Sequence, residues 1–206
     1  MFVRQYGNGA SVCFCLHGWS GDHRTFEALA EVLPDDARLY AADLPGCGLS
    51  PAPQPWDLRS VTRQIVQALH ETDSDSVTLV GACIGALFGM CAALETKVVK
   101  RLVMIDAFAM WPWYFRVFTA PVVGDKAYAG TFANPVGRWI TNKALTARRA
   151  EGSHLTNGFA AARHQTQLKY LHIAREIKSP REFAPLDLSV DVIFGSRTFR
   201  DRKSVV

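Results

Sequence analysis

The chain has 206 residues, 49% apolar and 20% charged, a balance that supports one packed domain and excludes a disordered chain. No stretch reaches the roughly 20 uninterrupted apolar residues of a membrane span, and neither a membrane nor a nucleic acid is expected as a partner. The net charge of +4 conceals a split, since residues 1–96 hold 5 Lys/Arg against 11 Asp/Glu and residues 97–206 hold 18 against 8.

The opening MFVRQYGNGASVCFCLHG lacks the charged, apolar and small-residue regions of a signal peptide, so a cytoplasmic protein is expected. Five cysteines (Cys13, Cys15, Cys47, Cys83 and Cys91) in such a chain do not suggest a disulfide framework. Cys13 and Cys15 have no second Cys/His pair at zinc spacing, so no metal or other cofactor is expected; both read as small buried hydrophobes. Ser11–Leu16 is an almost wholly apolar run ending at His17-Gly18, which is how a parallel strand buried on both faces reads. His23–Leu33 carries Phe26, Leu29, Ala30 and Leu33 at helical spacing and stops at Pro34. Arg38–Ala42 reads as the next strand, closed by Asp43-Leu44-Pro45-Gly46. Leu58–His70 reads as a helix with Asp57 as its N-cap.

Ser76–Val80 is a third strand, with an apolar helix over Ile84–Leu94 directly behind it. Lys100–Ile105 and Val190–Phe194 read as a fourth and a fifth. Strands alternating with helices predict an α/β fold, a mostly parallel sheet flanked by helices. The long stretch between the last two strands has no convincing strand of its own, so residues 107–185 are expected to be a helical cap inserted in the single domain, 1–206. Its start is aromatic, and Trp111 and Trp113 are expected to line a substrate pocket. Its later part, Phe159–Ile177, is basic and reads as helix.

The sequence Gly81-Ala82-Cys83-Ile84-Gly85 sits between a strand and a helix. A side chain on so sharp a turn projects outward, and small residues two before and two after avoid collision, which is the role of Gly81 and Gly85. The turn also puts Cys83 at a helix N-terminus, where free N–H groups and the macrodipole favour a thiolate. A Rossmann reading fails, because the glycines do not follow G-x-G-x-x-G.

With His17-Gly18-Trp19 after the first predicted strand and Asp43-Leu44-Pro45-Gly46-Cys47-Gly48-Leu49-Ser50 after the second, the elbow resembles the α/β-hydrolase superfamily, in particular its small cap-bearing members. The resemblance runs from about Ser11 to the end. It implies that Cys83 stands where most members carry serine. It also implies that the backbone N–H groups of Trp19 and Ile84 form an oxyanion hole, and that His17 shapes that loop without acting as base. The family acid normally follows the last predicted strand, where Thr198 stands. The resemblance therefore leaves Asp106, after the fourth strand, as the favoured acid and Asp201 as the other candidate.

The family histidine follows one further strand, and none remains after Phe199; the C-terminal strand and helix are expected to be missing from this chain. His23, His70, His154, His164 and His172 read as surface or packing residues. The function implied is hydrolysis or acyl transfer on an ester or thioester through a Cys83 acyl-enzyme. The basic second half could meet an acidic acyl carrier or the phosphates of coenzyme A. Two other readings stay open. One is an inactive scaffold that binds an apolar ligand or a protein. The other is acyl transfer like that of polyhydroxyalkanoate synthases, whose elbow has a further glycine where Ala86 stands.

Overall fold

The computed structural model describes residues 1–107, 115–144, 157–160 and 163–195. The strands are β1 (Val3–Tyr6), β2 (Ser11–Leu16), β3 (Ala37–Ala42), β4 (Val77–Ala82), β5 (Val99–Ile105) and β6 (Ser189–Ile193). They form one sheet in the order β1-β3-β2-β4-β5-β6, in which only β1 is antiparallel to its neighbour. The expected α/β architecture, a mostly parallel sheet flanked by helices, is what the chain adopts. β1 was not expected. Its residues VRQY alternate no apolar face, and it is held as an edge strand by pairing Val3 to Ala42 and Tyr6 to Leu39.

Helices cover both faces. Along β2, Val12, Phe14 and Leu16 point into the larger core, which α2 (Leu58–His70) and α3 (Ile84–Glu95) close. Cys15 points to the opposite face and packs with Leu39, Ala41, Val80 and Phe26, as the period of two in a strand requires. The predicted helix His23–Leu33 is shorter than its spacing implied: a 3₁₀ turn (His23–Phe26) leads into a single turn, α1 (Glu27–Ala30). Leu29 and Val32 are exposed, so the apolar spacing there buries too little to hold a longer helix. Helix α2 begins where Asp57 accepts a hydrogen bond from the Ser60 amide at 2.7 Å. Helix α3 is apolar nearly all round, as a helix buried in a core must be.

Between β5 and β6 the described residues carry α4 (Phe115–Phe118), α5 (Gly124–Tyr128), a π turn (Ala129–Ala133), α6 (Pro135–Ala144), a 3₁₀ turn (Asn157–Ala160) and α7 (His164–Ala174). Helix α7 is anchored to the sheet edge by Tyr170, whose buried hydroxyl donates to the Pro45 carbonyl at 2.7 Å. Tyr170→Phe is expected to lower unfolding free energy by about 1–2 kcal/mol in a urea titration, because the buried carbonyl loses that donor. No helix among the described residues is long and apolar enough to cross a membrane.

The strand registers align Leu16 with Ala42 and Gly81, Ala82 with Ile105, and Ile105 with Ile193. The residues that follow these ends, His17, Asp43, Cys83 and Asp106, therefore meet along one edge of the sheet. The chain order reverses between β2 and β4, and the strand ends at such a switch point are where open α/β sheets place ligands.

Candidate functional site

Cys83 links β4 to α3 with φ 53° and ψ −114°, a backbone conformation in which a non-glycine residue is strained. Its amide donates to the Ile105 carbonyl at 2.8 Å, and its carbonyl accepts from the Ala86 amide at 3.2 Å. The two flanking glycines are required by contact. A Cβ on Gly81 would stand 2.4 Å from the Ala86 Cα, and one on Gly85 would stand 2.4 Å from the carbonyl oxygens of both Leu16 and His17. Gly85 thereby lets the helix behind Cys83 press directly on the backbone that leads into His17-Gly18-Trp19.

That loop runs beside the elbow: a Cβ on Gly18 would lie 3.4 Å from the Cys83 Cβ. Ile84 is the first residue of α3, so its N–H is one of those a helix leaves without an intrahelical acceptor. The Trp19 indole packs edge-on against Phe115, Tyr128, Phe132 and Phe159, with centroids 4.8–6.0 Å away, and its Nε1 donates to the Gln167 carbonyl at 2.9 Å. Cys83 is half-buried against this same aromatic cluster. The apolar wall beside the cysteine thus includes Trp19 and residues from α4, α5 and the turns that follow. Trp111 and Trp113, expected to line it, lie outside the described residues.

His17 is fully buried, and its bonds fix its tautomer. The Leu44 amide can only donate, and it lies 3.0 Å from Nε2, so Nε2 accepts and the proton sits on Nδ1, 2.7 Å from the Gly18 carbonyl. Burial, first among the causes, pushes the ring's pKa down. The unfolded ring protonates near 6.5, so the unfolded state takes up the proton first and stability falls as pH drops below that value toward the folded pKa. The urea midpoint is expected to decline from pH 6.5 to 5. His164, lowered by burial and by Arg138, acts in the same direction. The part of the decline that His17→Asn removes therefore isolates His17.

Asp106 ends β5 at φ 48°; its amide donates to the Ile193 carbonyl at 2.9 Å and its Oδ1 accepts from the Gly195 amide at 3.3 Å. Its carboxylate thus sits on the loop after β6. Asp201 and Thr198 lie outside the described residues, as does His154. His70 Nε2 is 3.2 Å from the Thr96 hydroxyl, and His164 Nδ1 is 3.3 Å from the Tyr128 hydroxyl. His172 lies on α7.

The feature that sequence reasoning missed is Asp43. Its carboxylate is completely buried and accepts from the His23 amide at 2.6 Å, from His23 Nδ1 at 2.9 Å and from the Leu49 amide at 2.8 Å. Gly48 must be glycine here, with φ +47° and no room for a Cβ over that carboxylate. The signal was present in the Asp-Leu-Pro-Gly-Cys-Gly run, but the partner is twenty residues away in sequence. Asp22, His23 and Asp43 place one ligand-type atom each within 4.8 Å of one another. Those oxygens already receive donors from His23, Leu49 and Arg24, so the trio serves as a hydrogen-bonded tie between two loops and is poorly disposed to hold a metal.

None of the five cysteines is in a disulfide. Burial pushes the Cys15 thiol up strongly and those of Cys47 and Cys91 up to about 12, so these three stay protonated and inert.

The sequence pattern of the alpha/beta hydrolase fold family matches residues 13–183. A serine hydrolase-like protein of Danio rerio is 34% identical over 106 residues, which is 48% of this chain and 31% of that protein. A pimeloyl-[acyl-carrier protein] methyl ester esterase of Neisseria meningitidis is 27% identical over 145 residues, 68% of this chain and 55% of that protein. The chain therefore spans about a third to a half of the length of these relatives. The crystal structure of a hydrolase from Pseudomonas aeruginosa superposes with a TM-score of 0.72 at 16% identity, over 98% of this chain and 80% of that one; at that identity the likeness is one of fold.

Proposed function

This chain belongs to the alpha/beta hydrolase fold family, and from that premise we propose that it hydrolyses or transfers the acyl group of an ester or thioester, with Cys83 as nucleophile. The observation that carries the reading is the Cys83 turn: a strained, half-exposed cysteine at the start of α3, flanked by the Gly18-Trp19 backbone and an aromatic wall. The Cys83 sulfur attacks the acyl carbon, and the amides of Trp19 and Ile84 hold the oxyanion. The bond to the leaving oxygen or sulfur breaks, and the leaving group departs with a proton. Water or an alcohol then attacks the acyl-cysteine, releasing an acid or a new ester and restoring the thiol.

Asp106 is assigned as the acid because it stands on the same sheet edge as Cys83. Residues 107–185 act as the cap, and their aromatic residues receive the acyl chain. The excess of Lys/Arg in residues 97–206 suits an acidic acyl carrier as donor, the kind of partner for which the Neisseria esterase is named.

One observation favours a second reading. Trp19, Phe115, Tyr128, Phe132 and Phe159 pack together beside Cys83, an apolar wall that also suits a scaffold binding an apolar ligand without turnover. Stopped-flow mixing with p-nitrophenyl butyrate separates the two. The nucleophile reading expects a burst of about one nitrophenolate per chain. No burst, with apolar ligands still bound, would leave the scaffold.

A further inference from the structure

Beyond the aromatic cluster, the chain forms a concavity of about 710 Å³, within the size range of small-molecule pockets. Its walls include Asp22, His23 and Arg24 from the loop after Trp19, Cys47 from the Asp43–Ser50 loop, and Arg163 and Gln167 from the start of α7. Two charges on this wall are already compensated. The Arg24 guanidinium grips the Asp22 carboxylate, with Nη2 2.6 Å from Oδ2, and Asp43 behind the wall is bonded by His23 and Leu49. Arg163, exposed at the start of α7, has no carboxylate in ion-pairing distance among the described residues, so its guanidinium is open to an anion.

Gln167 supplies the second polar group. It is 3% exposed, and its Oε1 is buried with no hydrogen-bond partner among the described residues. An amide oxygen left so is costly and calls for an O–H or N–H donor. Gln167 is also the partition between the two compartments. Its carbonyl holds the Trp19 indole, its side chain walls the cavity, and the next residue, Leu168, packs on the aromatic cluster.

We propose that this cavity binds a small anion, a carboxylate or phosphate held by Arg163 with an adjacent O–H or N–H donor at Gln167.

Binding is tested by thermal unfolding of the whole chain with inorganic phosphate, lactate or glycerol at matched ionic strength. Phosphate or lactate is expected to raise the midpoint by several degrees and glycerol to leave it unmoved. The rise should vanish in Arg163→Gln and persist in part in Arg163→Lys. A larger response to phosphate indicates phosphate esters, and a larger response to lactate indicates hydroxy acids. No rise, or the same rise in Arg163→Gln, would overturn the site. The rise should persist in Cys83→Ala, so if the wild type forms no acyl-enzyme the anion site still stands while the nucleophile reading falls.

Discussion

Cys83→Ala is expected to reduce ester or thioester turnover on the order of 10³-fold or more, because the alanine side chain offers nothing to attack the carbonyl. KM for an apolar ester should change little, since the aromatic wall around Trp19 is intact. The Cys83→Ser variant is the more informative of the pair. A hydroxyl needs a strong neighbouring base, whereas a helix N-terminus favours a thiolate over a thiol. If Asp106 orients a histidine as effective as in a serine enzyme, the serine variant retains much of the rate. If the thiolate depends on the α3 N-terminus alone, the serine variant is as inactive as the alanine one. Steady-state assays of both variants against the wild type, with circular dichroism to verify folding, read out the difference.

Gly85→Ala is expected to destabilise the chain by about 3 kcal/mol in urea unfolding, the upper end of the cost of overpacking. The added methyl would stand 2.4 Å from two carbonyl oxygens at the end of β2, and backbone at a strand end has little freedom to withdraw. Either α3 or the Leu16–Gly18 segment must move, and both lead to groups beside Cys83. Activity should therefore fall further than the loss of folded protein explains, measured as kcat per folded molecule at low temperature. A Gly130→Ala control, where a Cβ meets nothing within 4 Å, should be close to neutral in packing.

Much of the fold was legible because its signals are local. Apolar runs bounded by turns gave the five strands β2 to β6, and the buried stripe of Leu58–His70 with Asp57 before it gave α2. The Gly81/Gly85 spacing gave the elbow, since its cause is steric contact within a few residues. What escaped depends on distant partners. β1 exists only because β3 pairs with it, and the burial of Asp43 depends on His23 and Leu49 folding over it. The aromatic wall was anticipated from Trp111 and Trp113. Its described members are Trp19 and residues spread from Phe115 to Phe159, which no periodicity brings together, while Trp111 and Trp113 lie outside the described residues.

The central claim, that Cys83 carries the acyl group, is tested most directly by mass spectrometry of the intact chain quenched in acid after mixing with butyryl thioester. A single butyryl adduct is expected, mapped by peptide digestion to Cys83 and absent from Cys83→Ala. An unmodified chain, or an adduct on another residue that persists in Cys83→Ala, would contradict it.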